Sequence, residues 1–223
     1  MRSLGMSDLV GVTWAVIDFE GLTPASRSPV PIEVAVVAGR LTGDGAWVES
    51  GRFTSLMSPP ADVPVTAFTT AQSGITAAML AAAPPADQVM CALDACFVAP
   101  PYRLVAHSAH TEATLIGGQR RHCPTVAAIP LICTVRMARV VLPELGSHTL
   151  DRVASRLGLT IPADRHRALP DAELTAQVFT RLAVEGVRAD RWRTLLELQA
   201  VGGVYVKPEP SRQAARVVQS ELF

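Results

Sequence analysis

Trp14-Ala15-Val16-Ile17 is an unbroken apolar run that stops at Asp18-Phe19-Glu20, the pattern of a strand buried nearly to its end. Ile32-Glu33-Val34-Ala35-Val36-Val37-Ala38 reads as a second strand, and Trp47 to Leu56 as a third. Between these two, Thr42-Gly43-Asp44-Gly45 has the glycines that a tight turn at positive φ requires. The three segments predict a β-meander. Residues 57–75 are rich in Pro, Ser and Thr and read as an ordered loop.

Beyond the loop, helices and short strands alternate. Ile75 to Ala83 reads as a short helix stopped by Pro84-Pro85, and Asp87 to Val98 as a helix with Val89, Met90, Leu93 and Phe97 at helical spacing. A strand is expected at Arg103 to Ala106, a helix at His110 to His122, a strand at Ala127 to Cys133 and a helix at Val135 to Val141. Helices follow from Ser147 to Leu157, with Gly158 at the end, from Pro170 to Val184, and from Asp190 to Val201. A meander followed by alternating elements predicts an α/β fold, a mixed sheet flanked by helices. The composition changes after Gly202-Gly203, so residues 1–203 read as the folded domain and 204–223 as linker and tail.

The 223 residues are 49% apolar and 18% charged, enough for one domain with a sizeable core. Twenty basic and twenty acidic residues cancel, so net charge points to no polyanionic partner. No apolar run has the length of a membrane span, and Asp8 falls where a signal peptide needs an apolar stretch, which makes the cytoplasm the expected location. Cys91, Cys96, Cys123 and Cys133 show no zinc-type spacing and read as reduced, mostly buried thiols.

The chemistry begins at Asp18 and Glu20. Two acids at i and i+2 on a strand point the same way, and at about 4 Å their repulsion is worth roughly 4 kcal/mol. A divalent cation between them removes that repulsion. Two further acids open helices, where the dipole favours them: Glu112, after Ala106-His107-Ser108-Ala109, and Asp171, after Pro170. His166 lies five positions before Asp171 in the preceding loop.

Taken in order, Asp18-x-Glu20, an acid after an Ala-His-Ser-Ala strand end, and His166-x-x-x-x-Asp171 form a pattern over roughly residues 12–186. It resembles the DnaQ-like 3′→5′ exonucleases, the DEDDh group of the ribonuclease-H-like superfamily. Pro31-Ile32-Glu33-Val34-Ala35, Ser73-Gly74-Ile75-Thr76, Cys133 to Arg139 and Ser147-His148-Thr149-Leu150 are similar as well. The resemblance implies a five-stranded mixed sheet of the ribonuclease-H type. It also implies two Mg²⁺ or Mn²⁺ ions held by Asp18, Glu20, Glu112 and Asp171, with His166 as general base. Oxygen-only donors suit these hard cations, two of which clamp a phosphodiester, and histidine suits a base at neutral pH. The substrate would be a DNA or RNA 3′ end, contacted by Gly21, Leu22 and Thr23 and by His107 and Ser108.

This chain departs from the family in three places. Gly21-Leu22-Thr23-Pro24 replaces a Thr-Thr-Gly type segment, Glu112 stands for Asp with roughly 1.5 Å more reach, and Ser108 stands for Asn. A fold that binds nucleic acid or a replication or repair partner without turnover is therefore the alternative. Gln219-Ser220-Glu221-Leu222-Phe223 resembles the Gln-x-x-Leu-Phe peptides that dock on bacterial sliding clamps, with Leu222 and Phe223 filling an apolar pocket and Gln219 bonding at its edge.

Overall fold

The computed structural model describes residues 6–24 and 28–207. A single turn, α1 (Ser7–Val10), leads into β1 (Thr13–Leu22), β2 (Val30–Leu41) and β3 (Trp47–Leu56). The expected meander is there: β1 pairs antiparallel with β2 and β2 antiparallel with β3, with Gly45 at φ +87° in the turn between the last two. Next come α2 (Ala67–Ser73), α3 (Ala77–Ala81), α4 (Ala86–Asp94), β4 (Tyr102–Ala106), α5 (His110–Gly118), α6 (Pro124–Ala128) and β5 (Leu131–Cys133). The described chain closes with α7 (Thr134–Val141), α8 (Leu150–Arg156), α9 (Ala168–Arg188), α10 (Leu195–Gly202) and β6 (Gly203–Val204).

The strands form one mixed sheet in the order β3-β2-β1-β4-β5-β6. β1 is parallel to β4 and β4 to β5, while β6 is antiparallel to β5. The five strands expected from the sequence are present, and two-residue β6 lengthens one edge.

Three local expectations are corrected. The segment 57–75 contains helix α2, capped by the Thr66 hydroxyl, which accepts the Thr69 N–H, and closed by Gly74 at φ +71°. Only Ser73 of this helix is buried, so it carries no apolar stripe for periodicity to reveal. The strand expected over 127–133 shrinks to Leu131–Cys133, because Pro124 starts α6, which runs to Ala128. The fold also continues past Gly203, with Val204 and Val206 buried. Among the described residues no helix is long and apolar enough to cross a membrane.

Alternation along β1 divides the core. Trp14 and Val16 pack with α7, α8 and α9 on one face, and Ala15, Ile17 and Phe19 with α4, α5 and α6 on the other. The Trp14 ring packs tilted against Phe179 of α9, with centroids 4.8 Å apart, and donates its Nε1–H to the Leu9 carbonyl at 3.0 Å. The long helix is thereby fixed against the central strand.

The start of α9 is fixed by a strand residue. Arg167, its N-cap, gives no side-chain cap. Instead the buried carboxylate of Glu33 on β2 accepts the Ala168 N–H at 2.9 Å, Arg167 Nε at 3.0 Å and Arg167 Nη2 at 2.6 Å. A distant carboxylate thus satisfies one of the helix's orphan donors and pairs with the residue before it. Removing it strands a buried N–H and a partly buried guanidinium, so Glu33→Ala should lower stability by about 2–4 kcal/mol in urea unfolding; a loss below about 0.5 kcal/mol would contradict this anchoring.

Candidate active site

Asp18 and Glu20 lie two residues apart on β1 and so point to the face that α9 covers. A bulge between Glu20 and Gly21 breaks the register with β2 just beyond them and re-aims the strand. Asp171 sits in the first turn of α9, where the helix end favours an acid. One carboxylate oxygen from each of Asp18, Glu20 and Asp171 can be chosen so that all three lie within 4.8 Å of one another.

Glu112 occupies the first turn of α5, past the end of β4, the parallel neighbour of β1. It is 3% exposed, and its Oε2 is buried without a hydrogen-bond partner. It stands outside the group of three oxygens but close enough to Asp18 and Glu20 to affect the charge balance of the site. Burial, then the Glu112 and Glu20 carboxylates, hold Asp18 well above the usual carboxylate range. Burial, followed by Glu33, pushes Glu20 up to about 7. Burial, reinforced by Glu20, pushes Glu112 up to about 8. The cluster therefore resists full ionisation unless positive charge enters it.

Two cavities flank the carboxylates. One, about 550 Å³, is lined by Glu20, Gly21, Leu22, Thr23, Thr66 and Phe68 among others. The other, about 410 Å³, is lined by Asp18, Asp171, His107, Ser108, Arg139 and Arg165 among others. Both are within the size range of small-ligand sites. The expected contact residues therefore divide, with Gly21, Leu22 and Thr23 on one side of the acids and His107 and Ser108 on the other.

His107 has both ring nitrogens engaged. Nε2 lies 3.0 Å from the His148 carbonyl, which only accepts, so the neutral ring carries its proton there. Nδ1 is left to accept from the Thr134 hydroxyl at 2.8 Å. Ser108 is exposed with φ +63°, a left-handed conformation that asparagine tolerates better than serine.

His166 is also left-handed, at φ +66°, and exposed. It makes no hydrogen bond among the described residues and lines neither cavity. Its two neighbours are anchored: Arg167 to Glu33, and Arg165 to Asp151 at 2.6 Å and to Asp171. The structure thus gathers Asp18, Glu20 and Asp171, sets Glu112 beside them, and leaves His166 on the adjoining loop. Gln219, Leu222 and Phe223 lie outside the described residues.

Sequence reading missed Arg165, Asp151 and exposed Phe68 as residues of this region. The capping pair Thr66 and Gly74 was a legible sign of the helix that carries Phe68. A lone arginine among loop residues carries no comparable sign.

The chain belongs to the exonuclease family RNase_T, which matches residues 15–179. Within it, the chain belongs with the DnaQ-like exonucleases, and its fold is ribonuclease-H-like. A DNA polymerase III subunit epsilon-like protein of Rhodobacter capsulatus is 33% identical over 183 residues, which cover 81% of this chain and 25% of that protein. The DNA polymerase III subunit epsilon of Aquifex aeolicus is 29% identical over 188 residues, covering 82% of this chain and 87% of that one. This chain thus spans about a quarter of the first relative's length and most of the second's. Among solved structures, the nuclease domain of 3′hExo, a DEDDh family member bound to rAMP, matches with TM-score 0.61 and 18% identity over 79% of this chain and 92% of that one. Exonuclease X in complex with 5′ overhanging duplex DNA matches with TM-score 0.57 and 23% identity over 84% of this chain and 98% of that one. These likenesses share the fold.

Burial holds the pKa of His107 down at about 4 from its ordinary 6.5, against the His148 carbonyl and with help from Arg165. Between these values the unfolded chain takes a proton that the folded chain refuses, so this contribution is present above pH 6.5 and is lost as pH falls toward 4. The stability advantage of wild type over His107→Asn should shrink by about 2 kcal/mol between pH 7.5 and pH 5, measured by urea unfolding at both; an unchanged gap would contradict it.

Proposed function

We propose that this chain is a metal-dependent 3′→5′ exonuclease that removes nucleotides from nucleic-acid 3′ ends. The observation that carries the proposal is the convergence of oxygens from Asp18, Glu20 and Asp171 within 4.8 Å, on two elements that a purely structural site had no reason to bring together. The buried, unpartnered Oε2 of Glu112 beside them fits the same purpose, since a bound cation would satisfy it.

These four carboxylates present only hard oxygen donors, the set that Mg²⁺ or Mn²⁺ prefers. Two such ions, when bound, would supply an activated water and charge relief on the leaving oxygen of a phosphodiester. The chain's own residues do the rest. Gly21, Leu22 and Thr23, with Phe68 across the same cavity, hold the terminal nucleotide. Exposed Arg139, lining the second cavity with Ser108, holds a backbone phosphate. His107, locked as a neutral ring, shapes that wall. His166 takes the proton of the attacking water on an imidazole nitrogen, approaching from its loop between two anchored arginines.

The DNA polymerase III relatives favour DNA as the substrate. A binding fold without turnover is not favoured, because a site freed from catalysis has no use for four mutually repelling acids. With Mn²⁺ or Mg²⁺, the protein should shorten 5′-labelled oligonucleotides from the 3′ end and release nucleoside monophosphates. Asp18→Asn should lower the rate by about 10³-fold or more and His166→Ala by about 10²-fold or more, with the fold retained. A wild-type protein inert with both metals on single- and double-stranded DNA and RNA would overturn the proposal.

The Gln219, Leu222 and Phe223 peptide is proposed to dock on a bacterial sliding clamp. Deleting residues 219–223 should abolish clamp binding in surface plasmon resonance and leave oligonucleotide cleavage intact; unchanged affinity would rule it out.

A further inference from the structure

Arg165 places its guanidinium among the carboxylates. Its side chain is 15% exposed, Nη1 pairs with Oδ1 of Asp171, and Nε donates to Oδ1 of Asp151 at 2.6 Å. The two acids differ in setting. Asp171 is buried in the cluster, whereas the Asp151 side chain, in the first turn of α8, is 50% exposed. One guanidinium thus bridges an inner carboxylate and an outer one. Among the described residues no other cation is paired with Asp18, Glu20, Glu112 or Asp171.

We propose that Arg165 is the resident cation of this site: it neutralises the cluster while no metal is bound, competes with the metal for Asp171, and withdraws onto Asp151 when the metal enters. This rests on the reading of the cluster as a divalent-metal site. A guanidinium keeps its charge at any working pH, so it can leave the metal's neighbourhood only by moving. The affinity measured for the metal is then reduced by the small fraction of molecules in which Arg165 has already withdrawn. Asp151 makes the withdrawal feasible, since it keeps one ion pair throughout. His166 is the next residue, so the movement takes place in the loop that carries the proposed proton acceptor.

The test is calorimetric titration of the metal-free full chain with Mn²⁺, for wild type, Arg165→Ala and Asp18→Asn. Arg165→Ala should bind Mn²⁺ at least tenfold more tightly than wild type. It should also melt at a lower temperature than wild type when metal-free, with the gap closing at saturating Mn²⁺. If folded Arg165→Ala binds no more tightly than wild type while Asp18→Asn loses binding, the proposal is overturned and the metal site stands. If none of the three binds Mn²⁺, the metal site falls and the proposal with it. Should Arg165→Ala not fold, Arg165→Lys carries the test. It keeps a charge but loses the fork that spans two carboxylates, so at least threefold tighter binding is expected, and unchanged affinity overturns the proposal.

Discussion

Repulsion among carboxylates is the constraint on which the site depends. Oxygens of Asp18, Glu20 and Asp171 within 4.8 Å of one another repel by about 3 kcal/mol per ionised pair at an effective dielectric near 20. Three such pairs amount to roughly the whole stability of an ordinary domain. The cluster can persist only by taking up protons, an internal cation or a metal. The raised pKa values of Asp18, Glu20 and Glu112 favour the first remedy, and the pairing of Arg165 with Asp171 supplies the second. The chemistry of the donors points to the third.

The fold holds the acids together in spite of that repulsion by fixing each on a rigid element. β1, in the middle of the sheet, carries two of them, and its bulge after Glu20 turns the chain toward the cavity beyond. α9 carries the third and is clamped at both levels, by Trp14 against Phe179 in the core and by Glu33 at its first turn. Glu33 stands opposite Glu20 in the strand register, so an unpaired charge there would add to the burden. Its bonds to Arg167 and Ala168 turn that charge into an anchor. The helix start that presents Asp171 is therefore held by the strand next to the one that presents Asp18 and Glu20.

The order of elements and most of the site were legible in the sequence for physical reasons. The apolar run ending at Asp18-Phe19-Glu20 carries its own geometry, because strand alternation places the acids together. Asp171 was legible from Pro170 at a helix start, and Glu112 from its position after a strand end. What was not legible depended on long-range contacts. Glu33 reads as one polar residue in an apolar strand, and its partners lie more than 130 positions away. Arg165 carries no periodicity, and only the folded loop shows where its guanidinium goes. Helix α2 buries almost nothing and so shows no periodicity, which leaves its Thr66 and Gly74 caps as its sign in the sequence; β6 escaped because two residues form no pattern. The left-handed backbone likewise has no signature in Ser108 and only a weak one in His166.

The central claim is that the carboxylates of β1, α5 and α9 form one divalent-metal site. A crystal structure grown with Mn²⁺ and phased at the manganese edge tests it most directly. The account predicts anomalous peaks coordinated by Asp18, Glu20 and Asp171, with Glu112 brought into contact with the metal or its water and Arg165 drawn away from Asp171. A map with no manganese among these residues, and with Arg165 still paired to Asp171, would contradict it.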